Sequence, residues 1–303
     1  MQSIPNGVYP TMITPYTTDD KIDFNAVEQV LNWYHERNVA GVFAVCQSSE
    51  MWFLNFEERL SLMKFIAEHK PEGMTVVASG HTADDLDRQA YEANAFIDTG
   101  IDSYVFISNR FVQPDDSDDV LLKNMDYVVS KIPEIGLGVY ECPHPRNRLL
   151  TPYVLKRLAE SGRFQFLKDT CCNPVQIKDK LDAGKGSNLK IFNANAAMLL
   201  ETLKMGCAGF SGIMANFFPE LFAELCSCYE TDPDRAQRIQ DFVGFSSMAE
   251  GQCFPVSAKY FLGLEGLDIN LHSRSRKVSD LSLNTRECTR EMRNAAAFFK
   301  AHL

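Results

Sequence analysis

Gly136-Leu137-Gly138-Val139-Tyr140 and Phe164-Gln165-Phe166-Leu167-Lys168 are two short apolar runs, with an amphipathic stretch, 152–161, between them. Run, amphipathic crossover and run make a βαβ unit, whose two strands must be parallel. The same alternation extends outward in both directions. Strands are expected at 7–14, 41–46, 74–79, 103–107, 136–140, 164–168, 189–192 and 209–213. Helices are expected between and after them at 24–37, 56–69, 83–99, 117–131, 152–161, 174–183, 196–205 and 219–229. Eight such units in series, with no GxGxxG loop, predict an α/β fold of the (β/α)8 TIM-barrel type rather than a doubly wound sheet. Local signals support the helix starts. Asn55 and Thr82 each precede an acidic first turn, Thr151-Pro152 puts proline at a first helical position, and the acidic run 115–119 suits a positive helix end. Gly41, Gly100 and Gly206 fall near helix ends, where a left-handed residue is common. The barrel is assigned to residues 1–230. Residues 231–303 form a C-terminal helical region, with helical spacing at 236–250, 255–262 and 286–302 and a polar linker, 274–280, that carries Arg274, Arg276 and Lys277.

Composition narrows the function. The 303 residues carry a net charge of −10, which argues against a general nucleic-acid or anionic-membrane surface, so an anionic ligand needs local positive charge. No apolar run reaches the ~18 residues of a membrane span. The stretch Met1–Gly7 lacks the basic start and apolar core of a signal peptide. Nine scattered cysteines without a paired CxxC pattern read as reduced thiols in a cytoplasmic protein. Cys171-Cys172 reads either as a redox or metal feature or as two small buried side chains. The six histidines show no HExxH or HxH spacing, and no metal is expected.

The chemistry is expected at strand ends. Catalytic groups of a (β/α)8 barrel sit at the C-terminal ends of the strands. Tyr140 and Lys168 end neighbouring strands, about 4.8 Å apart, so the two side chains can meet. By alternation Phe164, Phe166 and Lys168 share one face. An amine above phenylalanines is poorly solvated, which lowers its pKa and makes it nucleophilic. A nucleophilic lysine beside a phenol is equipment for Schiff-base chemistry on a carbonyl. Gly136 and Gly138 leave room below the phenol. Gln47-Ser48-Ser49-Glu50, just past the second strand, offers amides and hydroxyls to a carboxylate. Glu141 and His144 read either as an acid or base near the lysine or as a solvated loop. Arg146 and Arg148 read either as anion ligands or as surface charges.

Several segments, in order, resemble the dihydrodipicolinate synthase / N-acetylneuraminate lyase family of class I aldolases. Gly7-Val8-Tyr9-Pro10-Thr11-Met12-Ile13-Thr14-Pro15 is similar to its opening strand and Tyr140-Glu141-Cys142-Pro143 to its Tyr-x-x-Pro segment. Phe166-Leu167-Lys168-Asp169-Thr170 is similar to its lysine signature. Gly209-Phe210-Ser211-Gly212-Ile213, followed by Asn216 and Pro219, is similar to its eighth strand and exit. The resemblance implies that Lys168 forms an imine with pyruvate or another small 2-oxo acid and that Tyr140 relays protons. It implies that Gln47, Ser48 and Ser49 bind the carboxylate, with Ser211 at the eighth strand. It implies an aldehyde co-substrate, no cofactor, and a homo-oligomer, dimer or tetramer. Gln47 stands where the family has a relay hydroxyl, and Ser49 where it has glycine. Ser108-Asn109-Arg110-Phe111 lacks the synthase tyrosine that crosses a subunit interface, and Arg110 is a candidate ligand for an acidic group instead. Arg146 falls one position late for the synthase arginine. Asn193-Ala194-Asn195-Ala196 replaces the sialate-lyase Gly-x-Asp-Glu. The expected activity is therefore a Schiff-base lyase or aldolase on some other substrate. A dehydratase or decarboxylase of a sugar-derived 2-oxo acid and an impaired ligand-binding barrel are the alternatives.

Overall fold

Each apolar run becomes a strand of one parallel sheet in the computed structural model, which describes residues 3–303. The strands are β1 (Gly7–Val8), β2 (Gly41–Ala44), β3 (Thr75–Ala78), β4 (Ser103–Ile107), β5 (Gly136–Tyr140), β6 (Phe164–Asp169), β7 (Lys190–Asn193) and β8 (Gly209–Phe210). Their spatial order runs from β1 through β8 down to β2. The seam between β1 and β2 is closed by Phe43 N–H donating to the Pro10 carbonyl (2.9 Å) and Met12 N–H to the Phe43 carbonyl (3.0 Å). Met1 and Gln2, which open the stretch read as lacking signal-peptide features, lie outside the described residues.

Helices α1 (Phe24–His35), α2 (Phe56–His69), α3 (Leu86–Ile97), α4 (Asp118–Val129), α5 (Pro152–Glu160), α6 (Pro174–Ala183), α7 (Leu199–Met205) and α8 (Pro219–Cys228) alternate with the strands. Asn55 closes a full capping box with Glu58, and Thr151 caps α5 ahead of Pro152. One helix start and one helix end differ from expectation. Asp85, not Thr82, caps α3, because the Thr82 hydroxyl is taken by Arg59. Gly41 lies inside β2, where any side chain would meet the Thr75 carbonyl at 2.2 Å; the left-handed turn after α1 falls to Asn38. Gly100 and Gly206 do adopt positive φ.

The chain then adds α9 (Pro233–Ser246), α10 (Val256–Leu264) and α11 (Leu283–Ala301). The polar linker between α10 and α11 is pinned rather than loose. Arg274 holds Glu58 (2.8 Å) and Asp20 (2.9 Å) together. Glu50 accepts from the Ser273 hydroxyl and the Ser275 amide, at 2.8 and 2.7 Å.

Inside the barrel Tyr9, Phe43, Phe166 and Phe192 form a connected aromatic cluster. The β5–β6 register slips at one point: Leu137 pairs with Phe164, but Gly138 pairs with Phe166, leaving Gln165 as a bulge. Registered neighbours share a face. Phe164 therefore follows Leu137 to the helix side, and the inward row below Lys168 is Phe166 without Phe164. Phe43, from β2, supplies the second ring near the lysine instead.

Candidate active site

Tyr140 and Lys168 are register partners at the C-terminal ends of β5 and β6. The Lys168 Nζ lies 4.3 Å from the centre of the Tyr140 ring and 5.7 Å from that of Phe43. Lys168 is 5% exposed, and its tip opens on a cavity of about 710 Å³ at the C-terminal mouth of the barrel. Burial pulls the lysine below its usual pKa, against the opposing pull of nearby Cys46, Cys142 and Glu250. Burial also pushes the Tyr140 phenol well above its usual range. At neutral pH the pair is thus a neutral phenol next to an amine that gives up its proton more readily than an ordinary lysine.

Strand alternation dictates what lies behind this pair. Because Tyr140 and Lys168 point inward, Glu141 and Asp169 point out toward the helices. Lys180 of α6 reaches both carboxylates in a fully buried triad. Glu141 also accepts from the Leu150 amide (2.7 Å) and the Thr170 amide (3.0 Å). Burial raises the Glu141 carboxyl to about 7, helped by Asp169 and opposed by Lys180. Glu141 is therefore no part of the cavity: it braces the ends of both strands from outside.

The residues after β2 divide between cavity and scaffold. Gln47 and Ser48 line the cavity. Ser49 turns away; its hydroxyl donates to the Met12 carbonyl (2.5 Å) and accepts from the Cys46 amide (3.1 Å). The Gln47 Oε1 accepts from the Cys142 thiol at 3.3 Å. Residues Gln47–Ser49 form one short 3-10 turn, whose first amides, Gln47 and Ser48, take no backbone partner among the described residues.

The three arginines read as candidate anion ligands, Arg110, Arg146 and Arg148, fall outside the cavity lining. Arg110 follows β4 in a tight turn that aims it at the loop before α3; it pairs with Asp84 and lies 5.5 Å from the centre of the Trp52 ring, which does line the cavity. Arg146 donates to the Asn109 carbonyl (3.2 Å) and to that of Val112, tying two loops together. Asn109 does the same from the other side: its Nδ2 lies 2.7–3.0 Å from the carbonyls of Cys142, His144 and Arg146. Arg148 pairs with Asp118. Ser211 is buried, its hydroxyl without a partner among the described residues, and is not part of the cavity lining; the next residue, Gly212, lines the cavity and has no space for a Cβ, which would meet the Ala194 carbonyl at 2.5 Å. His144 stands exposed at the rim, edge-on to Trp52 (5.4 Å).

Part of the wall comes from residues that strand patterns do not reveal. Ser247, Glu250, Phe254, Pro255, Ser275 and Arg276, all from the C-terminal helical region, line the cavity together with the barrel residues. Arg276 supplies the local positive charge that an acidic chain needs for an anionic ligand. The only signal for it in the sequence is its place in the basic linker. Among the described residues no group of His, Cys, Asp or Glu is placed to hold a metal ion, all nine cysteines are free thiols, and no helix is long and apolar enough to cross a membrane.

Comparison with known proteins agrees with this geometry. A 4-hydroxy-tetrahydrodipicolinate synthase of Methanocaldococcus jannaschii is 25% identical over 77% of this chain and 78% of its own length. An uncharacterized DapA-like lyase of Pyrococcus abyssi is 26% identical over 74% of each. Among solved structures, a prophage protein of E. coli K12 in complex with pyruvate superposes with a TM-score of 0.85 at 18% identity, covering 97% of this chain and 98% of its own. The Thermotoga maritima dihydrodipicolinate synthase gives 0.86 at 18%, covering 97% and 99%. Residues 4–282 match the sequence profile of the Dihydrodipicolinate synthetase family. A match of that extent, on a barrel whose fifth and sixth strands pair a tyrosine with a lysine near their C-terminal ends, settles the ancestry: the chain belongs to the dihydrodipicolinate synthetase family.

Proposed function

We propose that this protein is a Schiff-base lyase or aldolase in which Lys168 condenses with the ketone of pyruvate or a related 2-oxo acid. The observation that carries the reading is the buried Lys168 amine, 4.3 Å from the Tyr140 ring, opening into the cavity. Desolvation favours the neutral amine relative to an ordinary lysine, and the neutral form is the nucleophile. The Tyr140 hydroxyl hydrogen-bonds the carbinolamine as water leaves. The Gln47 and Ser48 amides, at the start of their turn, receive the carboxylate, and Arg276 favours its entry. The protonated imine is the electron sink, so the chemistry requires no cofactor. Residues 231–303 act with the 1–230 barrel as one catalytic unit, since they supply part of the cavity lining. The protein works in the cytoplasm as a homo-oligomer, which sedimentation velocity tests.

Reduction with borohydride in the presence of pyruvate tests the imine. A pyruvate-sized adduct on Lys168, absent in Lys168→Ala, is expected by peptide mass spectrometry. No adduct with pyruvate or a panel of longer 2-oxo acids would falsify the reading. One observation favours a second reading, dehydration or decarboxylation on the same imine: the Gln47 amide, a poor proton carrier, accepts from Cys142 where the family has a relay hydroxyl. Aldehyde release from candidate oxo acids separates the two.

A further inference from the structure

Carbon–carbon chemistry on a lysine imine needs a base that the residues above do not supply. After imine formation a proton must leave C3 before the enamine can attack an aldehyde. Tyr140 is a poor candidate. It is a neutral phenol, and Gln47, whose amide oxygen already accepts from Cys142, gives it no route for passing a proton on. Glu141 and Asp169 face the other side of the strands and are held by Lys180.

Glu250 is the carboxylate in the cavity wall. It follows a 3-10 turn (Ser247–Ala249) after α9 and is half-buried, and its carboxylate makes no hydrogen bond or ion pair among the described residues. The ionisable groups that share the cavity with it are Lys168, Tyr140, His144, Cys172 and Arg276. His144 is the other ordinary base, but it stands in solvent at the rim. Glu250 and Lys168 lie near enough for their charges to act on each other: burial pushes the carboxyl up, and the lysine pulls part of that back. An unpaired carboxylate of raised basicity, lining the same cavity as the lysine, suits proton abstraction next to an iminium.

We propose that Glu250, contributed by the C-terminal helical region, is the acid–base residue that carries the C3 proton of the Lys168 imine. This rests on the imine reading. In the first step the C3–H bond breaks, its electron pair forms the C2=C3 bond, and the C2=N pair returns to nitrogen. The product is a neutral enamine, and the proton sits on Glu250. In the second step the enamine forms the C3–C4 bond with an aldehyde and the iminium is restored. The aldehyde oxygen takes the proton from Glu250, so the cycle balances with no other proton donor. The reverse sequence describes cleavage.

Pyruvate alone in heavy water reads the first step, as loss of the methyl proton signal by nuclear magnetic resonance. The wild-type chain should exchange these protons. Glu250→Gln should slow exchange about 100-fold or more, the scale of a lost general base, while borohydride still traps pyruvate on Lys168. Exchange at the wild-type rate in Glu250→Gln, with trapping intact, overturns the assignment. Should Glu250→Gln lose trapping as well, Glu250→Asp decides: slowed exchange with intact trapping supports the role, and unchanged exchange overturns it. A wild-type chain that traps no pyruvate overturns the imine reading, and this role with it.

Discussion

Replacing Lys180 by methionine leaves Glu141 and Asp169 buried side by side with no cation between them. Removing one partner from a buried charged group costs about 3–5 kcal/mol, because the remaining charge stays desolvated. Denaturant unfolding of Lys180→Met should show a loss of that order. Activity should fall with it, since Glu141 also accepts from the amide of Thr170, a residue that lines the cavity. Loss of less than about 1 kcal/mol would mean that the triad is a passive surface-type pair. The effect arises one residue away from the reactive pair on each strand, so it needs no contact with substrate.

Among the elements, α10 carries a third buried lysine, after Lys168 and Lys180, and its titration has a definite sign. Lys259 donates to the His272 carbonyl and sits 3.5 Å from Glu50. Burial lowers it from 10.5 to about 8, against the pull of Glu50. Between pH 8 and 10.5 the unfolded chain holds a proton that the folded chain has released. The burial penalty is therefore full below pH 8 and is relieved as pH rises toward 10.5. The stability of wild type relative to Lys259→Met should improve by on the order of 1–3 kcal/mol between pH 7 and pH 10; a flat difference would show that the lysine titrates normally. This lysine also marks how far the sequence could be read. The eight-fold alternation, the Asn55 and Thr151 caps and the Tyr140–Lys168 pairing are local patterns, and they were legible because period and spacing determine them. The bulge at Gln165 was not, since nothing in Phe164-Gln165-Phe166 marks an extra residue, and it moved Phe164 to the other face. Strand β1 is shorter than its apolar run because Pro10 has no N–H to continue a ladder, although its carbonyl still closes the seam. Arg110 and Arg146 looked like ligands because sequence shows a charge but not the carbonyls and carboxylates that satisfy it. Glu250 was missed altogether, as the region after the barrel has no strand end to direct attention to it.

Across the whole molecule the helical tail is joined to the barrel by polar ties as well as packing. Arg274 is the strongest, with bonds to Glu58, Asp20 and the Phe53 carbonyl. Arg274→Ala should leave the barrel folded but loosen the segment that carries Ser275 and Arg276. Limited proteolysis should then cut within 270–280 faster than in wild type, and the Michaelis constant for an anionic substrate should rise more than the turnover number falls. Equal proteolysis rates would assign the pinning to Glu50 and Ser273 instead.

The back-to-back arrangement at the ends of β5 and β6 has a consequence for anyone who moves this chemistry into another barrel. Tyr140 and Lys168 cannot travel as a pair. Each strand delivers its next residue to the opposite side, so the graft brings Glu141 and Asp169 with it, or puts two foreign side chains against the helix layer. A host needs a cation at the position of Lys180, two turns into the helix that follows. The smallest transplantable unit is thus five residues on three elements, and a host chosen only for its matching strand ends would receive a reactive amine on an unbraced scaffold.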